Sequence, residues 1–148
     1  MEKVKFFKLV DSAIAPTRNN PSDAGIDLYA VETTFIQIGK SVIVRTGVAV
    51  KIPEGHVGKI EDRSSMASKG LRTGAGVIDS GYSGEIGVVM HNLNNIDASN
   101  YHGRGYLVER GQKIAQILIY KVETPELEEV DHLWTSDRGS NGFGSSGA

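Results

Sequence analysis

Short runs in which apolar and polar residues alternate are the feature that most limits what this chain can fold into. The run 42–52 carries aliphatic residues at most of its even-numbered positions and ends at Pro53-Glu54-Gly55. Segment 86–90 alternates in the same way, whereas 114–122 is apolar on both faces, as in a strand buried in a sandwich or at a subunit interface. Further short strands are predicted at 4–9, 26–30 and 57–61. Many short strands separated by turns predict an all-β sandwich, jelly roll or barrel.

One short helix is predicted, over 64–69, with Ser64 as its N-cap. Arg63 precedes it and Ser65 follows the cap. A helix start flanked by an arginine and serines binds phosphate readily. A capped surface helix with a solvated arginine is an equally good interpretation of these residues.

Composition narrows the classes of partner. A length of 148 residues fits one domain, and a net charge of -2 provides no basic field to hold nucleic acid. The chain has no cysteine, which excludes disulfides and thiolate metal sites and favours a reducing, cytoplasmic compartment. The N-terminus lacks the apolar core of a signal peptide, and no apolar run approaches the length that spans a membrane. We therefore expect neither nucleic acid nor membrane as a partner.

The glycine-rich segment 74–85 holds the best candidate for a general base. Gly74 and Gly76 carry no side chain, so a ligand could meet the main chain directly. Asp79 follows an apolar pair and could accept a proton. Alternatively, Asp79 caps the turn and Tyr82 is ordinary hairpin packing.

Two polar residues interrupt apolar strands. Asp27 lies in the segment 24–30 and Gln116 in 114–122. Both need hydrogen-bonding partners if buried. Asp27 is either structural or holds water around a cation. The four histidines show no metal-ligand spacing.

Two segments stand apart from the strands. Residues 92–105 are polar and predict a long loop. Residues 136–148 are rich in glycine and serine, so we expect a β domain over 1–135 followed by a flexible C-terminal segment over 136–148. That tail is either a disordered terminus or a binding element, because Arg138 suits phosphate and Phe143 could cover a planar base.

Five segments together resemble the motifs of the trimeric dUTPase family, in the family's order and with nearly its spacing. They are AGIDLYA (24–30), RSSMASKG (63–70), GAGVIDSGYSGE (74–85), GQKIAQIL (111–118) and RGSNGFGSSG (138–147). The resemblance implies a jelly-roll homotrimer with active sites between subunits. It also implies hydrolysis of dUTP to dUMP and pyrophosphate by attack of water at the α-phosphate, which keeps uracil out of DNA and supplies dUMP for thymidylate synthesis.

The resemblance further implies a role for each site residue. Asp79 is the base that activates water, Tyr82 packs against the deoxyribose, and Asp27 reaches Mg²⁺ only through water. The uracil-reading hairpin is lined by Gly76, Val77, Ile78 and Gly87. Phosphates are bound by Arg63, Ser64, Ser65 and Gln116. The tail closes over the substrate through Arg138, Phe143, Gly144, Ser145 and Ser146.

The chain departs from the family pattern at three positions in or beside these segments. Asp62 stands where the family usually has proline, Gly81 where it usually has aspartate, and Ser83 where it often has arginine. Two other interpretations stay open. One is a dCTP deaminase, which has a similar fold and second motif but needs a glutamate base. The other is a regulatory protein that binds a partner through the 92–105 loop.

Overall fold

A computed structural model describes residues 3–95, 104–137 and 139. Within these residues the chain forms short β-strands and one four-residue helix. In chain order they are β1 (Lys5–Lys8), β2 (Ile26–Tyr29), β3 (Thr34–Gln37), β4 (Ser41–Arg45), β5 (Val48–Lys51), β6 (His56–Asp62), α1 (Ser64–Ala67), β7 (Leu71–Gly74), β8 (Val77–Ile78), β9 (Gly87–Asn92), β10 (Gly105–Val108) and β11 (Lys113–Lys121).

The strands form small antiparallel sheets around one core. The largest has the order β2-β11-β6-β8, and a second has the order β4-β9-β7. Two further pairs are β1-β5 and β10-β3. Neighbours in these sheets are mostly distant in sequence, as in a jelly roll, so the predicted all-β fold is confirmed.

The alternating pattern of 42–52 marks the core face correctly but spans two strands. Val44, Val48 and Val50 are buried. The run breaks at Gly47, which has a φ of 69°, and β4 and β5 then join different sheets. Glycine adopts this left-handed backbone conformation without strain, so the chain can turn there. The buried hydroxyl of Thr46 is satisfied at the break, because it donates to the Ile86 carbonyl at 2.6 Å.

The helix prediction is right in place and wrong at its cap. The helix α1 covers Ser64–Ala67, and the N-cap is Arg63, with φ -86° and ψ 137° and no side-chain cap hydrogen bond. Ser64 is therefore the first helical residue, because β6 continues through Asp62 and leaves only Arg63 for the change of direction. Gly70, with a φ of 73°, ends the helical turn.

The long strand β11 is buried on both faces only in its first half. Ile114, Ala115 and Ile117 are buried, whereas Tyr120 is 47% exposed. The first half of the strand is thus buried within the sandwich of one chain, whereas burial of its last residues at a subunit interface stays a prediction. Among the described residues no helix is long and apolar enough to cross a membrane.

Candidate active site

A polar hollow opens where β2 and β11 run past the end of β6. Asp27, Arg63, Ser64, Lys113 and Gln116 are among the residues that line it. Asp27 Oδ1 accepts a hydrogen bond from Arg63 Nε at 3.1 Å, and Lys113 Nζ lies 2.7 Å from Asp27 Oδ2. One carboxylate thus holds two cationic side chains in the same hollow, which is an arrangement suited to binding a phosphate.

Lys113 is a candidate that the sequence analysis missed. The hydrogen bond to Asp27 raises the pKa of Lys113, so the ammonium group stays charged at neutral pH. The sequence signal was a cation directly before the largely apolar segment 114–122. Its partner in the structure, Asp27, is remote in sequence, so the ion pair could not be read from the local pattern.

The serines that follow Arg63 face solvent beside the same hollow. Ser64 and Ser65 open α1, and both are exposed. Arg63 Nη1 lies 3.5 Å from Ser65 Oγ, a long contact that leaves the hydroxyl available to a ligand.

Gln116 is held in a defined orientation on β11. It lies opposite Asp27 of β2 and Glu61 of β6. Its Nε2 donates to the Asp62 carbonyl at 2.8 Å. A Cβ on Gly25 would lie 1.9 Å from Gln116 Oε1, so the side chain packs directly on that glycine. The amide group is therefore fixed between two backbone segments.

Replacing Gly25 by alanine is expected to displace the Gln116 amide and weaken phosphate binding. The added methyl group has no room, and small misplacements of a binding group can cost up to about 100-fold, so we expect the dissociation constant for inorganic pyrophosphate to rise about tenfold. Calorimetric titration checks this. Gly81→Ala is the matched control, because nothing lies within 4 Å of a Cβ there and it does not line this hollow, so that constant and the melting temperature should stay unchanged. An unchanged constant in Gly25→Ala would contradict the proposed packing.

A second group of predicted residues forms the turn around β8. The Gly76 carbonyl accepts a hydrogen bond from Ile60 N–H at 2.8 Å, and a Cβ at Gly76 would come within 2.7 Å of the Ile60 carbonyl. Only glycine allows this approach. Of the next two residues, Ile78 is buried and Val77 is 61% exposed. Because β8 is the last strand of its sheet, its outer edge can offer main-chain groups to a planar base.

Asp79 begins the exposed turn that follows β8. The Tyr82 N–H donates to the Asp79 carbonyl at 3.0 Å. The Tyr82 hydroxyl donates to the Glu85 carbonyl at 2.8 Å, and its ring lies close to Gly84, where a Cβ would be 2.6 Å from the hydroxyl oxygen. The Asp79 carboxylate is therefore accessible to water, and the Tyr82 ring is accessible to a ligand.

Glu85 fastens this turn to the body of the protein. Its Oε1 accepts a hydrogen bond from Gly47 N–H at 2.8 Å, and Arg45 Nη2 lies 3.2 Å from Oε2. Gly87 follows at the start of β9, opposite Arg45, and a Cβ there would be 2.7 Å from Ile43 Cγ2. The sequence analysis did not nominate Glu85 or Arg45, because their pairing depends on the register of β4 against β9, which are distant in sequence.

The two groups lie at opposite ends of β6. Ile78 pairs with Gly58 near the start of that strand, whereas Arg63 follows its last residue. Asp79 is one residue further out than Ile78, so about six residues of strand, or about 20 Å, separate it from Arg63. The side chains of Asp79 and Arg63 accordingly line different hollows.

The predicted tail residues Arg138, Phe143, Gly144, Ser145 and Ser146 lie outside the described residues. The segment that leads to them is highly exposed. Leu127, Leu133 and Trp134 are 99%, 79% and 76% exposed. Within the described part of the chain no cluster of three histidine, cysteine, aspartate or glutamate side chains could hold a metal ion.

Comparison with protein families gives one match that covers nearly the whole chain. The dUTPase family model matches residues 11–147. Two relatives carry the name deoxyuridine 5'-triphosphate nucleotidohydrolase. The one from Gloeothece citriformis is 42% identical over 149 residues, covering 98% of this chain and 97% of the relative. The one from cowpox virus is 38% identical over 144 residues, covering 97% and 92%.

Solved structures agree with these matches. The dUTPase of Staphylococcus bacteriophage 80alpha with dUpNHpp is similar at a TM-score of 0.87 and 34% identity, over 100% of both chains. A mutant dUTPase from phage phi11 of S. aureus, described with a structural Mg(II) ion, has a TM-score of 0.79 and 32% identity over 90% of this chain and 100% of that one.

Proposed function

Since the chain belongs to the dUTPase family, its activity is hydrolysis of dUTP to dUMP and pyrophosphate, and we propose that Asp79 activates the water that attacks the α-phosphorus. The observation that carries this assignment is the position of Asp79 at an exposed turn beside the unpaired edge of β8. A base read by that edge leaves its sugar and α-phosphate near the turn. An exposed carboxylate can accept a proton from water there.

Charge on the triphosphate is the main obstacle to this reaction. Arg63 and Lys113, held together by Asp27, supply two positive charges in the polar hollow. Ser64, Ser65 and the Gln116 amide add hydrogen-bond donors. Donors that are already oriented stabilise developing negative charge without reorganising. We assign these residues to the β- and γ-phosphates.

A Mg²⁺ ion fits this hollow only as a partner of the nucleotide. Each oxygen of Asp27 already faces a cationic side chain, so the carboxylate suits an outer contact through water better than direct coordination. When bound to the triphosphate, Mg²⁺ neutralises charge and polarises the phosphoryl oxygens. Asp27 would hold the hydrated ion and Arg63 at once.

Selection of uracil is assigned to the main chain around Gly76, Val77 and Ile78. Backbone N–H and C=O groups at an open strand edge match the donor and acceptor pattern of uracil. Cytosine would leave such groups unpaired, and a site built on hydrogen bonds can reject an unmatched ligand by about 10⁴-fold. Gly87 is assigned to the same selection, because without a side chain it lets the start of β9 lie close to Ile43 of β4.

We assign the complete site to a homotrimer in which different copies supply its parts. The separation of about 20 Å along β6 keeps Asp79 away from the phosphate hollow of its own chain. The exposed apolar residues Leu127, Leu133 and Trp134 support the idea that the segment before the tail packs on another copy. The tail from 136 onward, with Arg138 and Phe143, would then close a site on that copy as a lid.

Replacing Tyr82 by alanine is expected to weaken discrimination between dUTP and UTP more than between dUTP and dCTP. The ring, held by its hydroxyl and by Gly84, is proposed to fill the space that a 2′-hydroxyl would need. Ratios of kcat/KM for the three nucleotides measure this. Tyr82→Phe keeps the ring and should retain most of the selectivity. An unchanged dUTP/UTP ratio in Tyr82→Ala would remove the ring from the sugar site.

A panel of nucleoside triphosphates assayed with Mg²⁺ tests the activity as a whole. Pyrophosphate release confined to dUTP is expected. Release of ammonia from dCTP would instead indicate the deaminase activity that the similar fold of the two families leaves open. Scoring the two products separately makes the result decisive in either direction.

A further inference from the structure

Asp62 connects the phosphate hollow to the neighbouring sheet. Its Oδ1 accepts hydrogen bonds from Thr73 N–H at 2.6 Å and from Thr73 Oγ1 at 2.9 Å. Its Oδ2 pairs with Arg72 Nε. Its carbonyl accepts the Gln116 amide at 2.8 Å. One residue therefore contacts β7 through its side chain and β11 through its backbone.

These contacts lie directly before Arg63 and the start of α1. Asp62 is the last residue of β6, and Arg63 follows it as an N-cap without any side-chain cap hydrogen bond. The Arg63 carbonyl accepts the first backbone hydrogen bonds of α1, from the Met66 and Ala67 N–H groups, both at 2.9 Å, and its side chain pairs with Asp27. The carboxylate of Asp62 adds a restraint on the other side of Arg63 by fixing the end of β6 to β7.

The contact also joins two sheets at their margins. β6 belongs to the sheet β2-β11-β6-β8, and β7 is the last strand of β4-β9-β7. The Thr73 N–H on the free edge of β7 is satisfied by the Asp62 carboxylate, whose side chain is only 18% exposed. An edge N–H left unpaired would be costly, so the contact resists opening.

The carboxylate is charged under ordinary conditions. Partial burial on its own raises the pKa of Asp62, but hydrogen bonds from the Thr73 backbone and hydroxyl and from Arg72 outweigh it and hold that pKa below its ordinary value. The three donors therefore meet an ionised acceptor throughout the neutral range.

The geometry points to Asp62 as a positioning residue for the phosphate subsite, which orients Arg63 through the chain and Gln116 through its carbonyl. The inference rests on the proposed function, since it takes Arg63 and Gln116 as phosphate ligands. Asp62 touches no substrate. Its effect should appear in binding of the phosphate part and not in recognition of the base.

Separate probes for the two halves of the substrate test this. Asp62→Ala and Thr73→Val are assayed for KM and kcat with dUTP and for inhibition constants of inorganic pyrophosphate and of deoxyuridine. We expect Asp62→Ala to raise KM and the pyrophosphate constant about tenfold, as a displaced binding group does. The deoxyuridine constant should change less than twofold and kcat less than threefold. Thr73→Val removes one donor from the β7 side and should raise the pyrophosphate constant about threefold.

Control variants distinguish a failure of this inference from a failure of the proposed function. Asp11→Ala removes an exposed carboxylate outside both hollows and should change none of the constants. Arg63→Ala should weaken pyrophosphate; if it does not, the phosphate assignment itself is overturned. If Arg63→Ala weakens pyrophosphate but Asp62→Ala and Thr73→Val do not, the positioning role is overturned. Equal losses for pyrophosphate and deoxyuridine in Asp62→Ala would likewise overturn it, because they indicate general loosening. Should Asp62→Ala fail to fold, Thr73→Val alone decides.

Discussion

Replacing Asp79 by asparagine is expected to abolish turnover while leaving nucleotide binding largely intact. The amide has the shape of the carboxylate but cannot accept a proton from water. General-base catalysis contributes about 10²–10⁴-fold, so kcat should fall by at least 100-fold. Because Asp79 stands at an exposed turn and makes its hydrogen bond through the backbone, the change should not disturb the fold.

Two measurements separate loss of chemistry from loss of binding. Calorimetric titration with the imido analogue dUpNHpp should give affinities within about threefold of each other for the two proteins, well below the loss in kcat. Glu61→Gln is a matched control, because Glu61 is a carboxylate that lines the same hollow as Asp79. It should retain most of the turnover. Turnover of Asp79→Asn within about tenfold of the unaltered chain would refute base catalysis by this residue.

Mixing two inactive variants is expected to restore about a quarter of the activity of the unaltered protein. Asp79→Ala keeps its tail, and a truncation ending at Asp137 keeps Asp79. In the proposed homotrimer each variant alone should be inactive, one without the proposed base and the other without the proposed lid. After joint unfolding and refolding in equal amounts, the chains assort at random in closed trimers.

The expected recovery follows from which copies supply the parts of a site. The chance that the chain giving the turn has Asp79 is about one half, and the chance that a different chain gives an intact tail is also about one half, by the symmetry of a closed ring. About a quarter of the sites would be whole. A turn and tail from the same chain would leave every mixed site incomplete. Activity at the level of the two parents, with mixed trimers demonstrated by mass spectrometry, would therefore exclude a shared site.

Fold class was predictable because strand periodicity is a local property. Ile86, Val88 and Met90 alternate in the sequence and are all buried in the structure, since successive side chains of a strand point to opposite faces. The same rule marked the core side of 42–52 but could not show that the chain changes sheets at Gly47. A Cβ at Gly47 would lie 2.9 Å from Val10 Cγ2 and from Ala13 Cβ, so the close packing at this break comes from a distant segment of the chain.

The cap of α1 shows where local rules compete with tertiary structure. Serine is a good N-cap in general, and Ser64 stands at the expected place. The pairing of β6 with β11 extends through Asp62, so the cap moves to Arg63. Hydrogen bonds between strands outweighed the preference of a single side chain.

The sequence by itself determined the strand pattern and the family, because both are carried by residue types at short, regular spacings. The tertiary structure alone decided which charges meet. Asp27 lies between Arg63 and Lys113, and Asp62 faces Thr73 and Arg72, only because strand register brings residues from different parts of the chain together. Register depends on the hydrophobic patterns of both strands and on the turns between them, so the pattern of one strand alone does not show which charged residues will face each other.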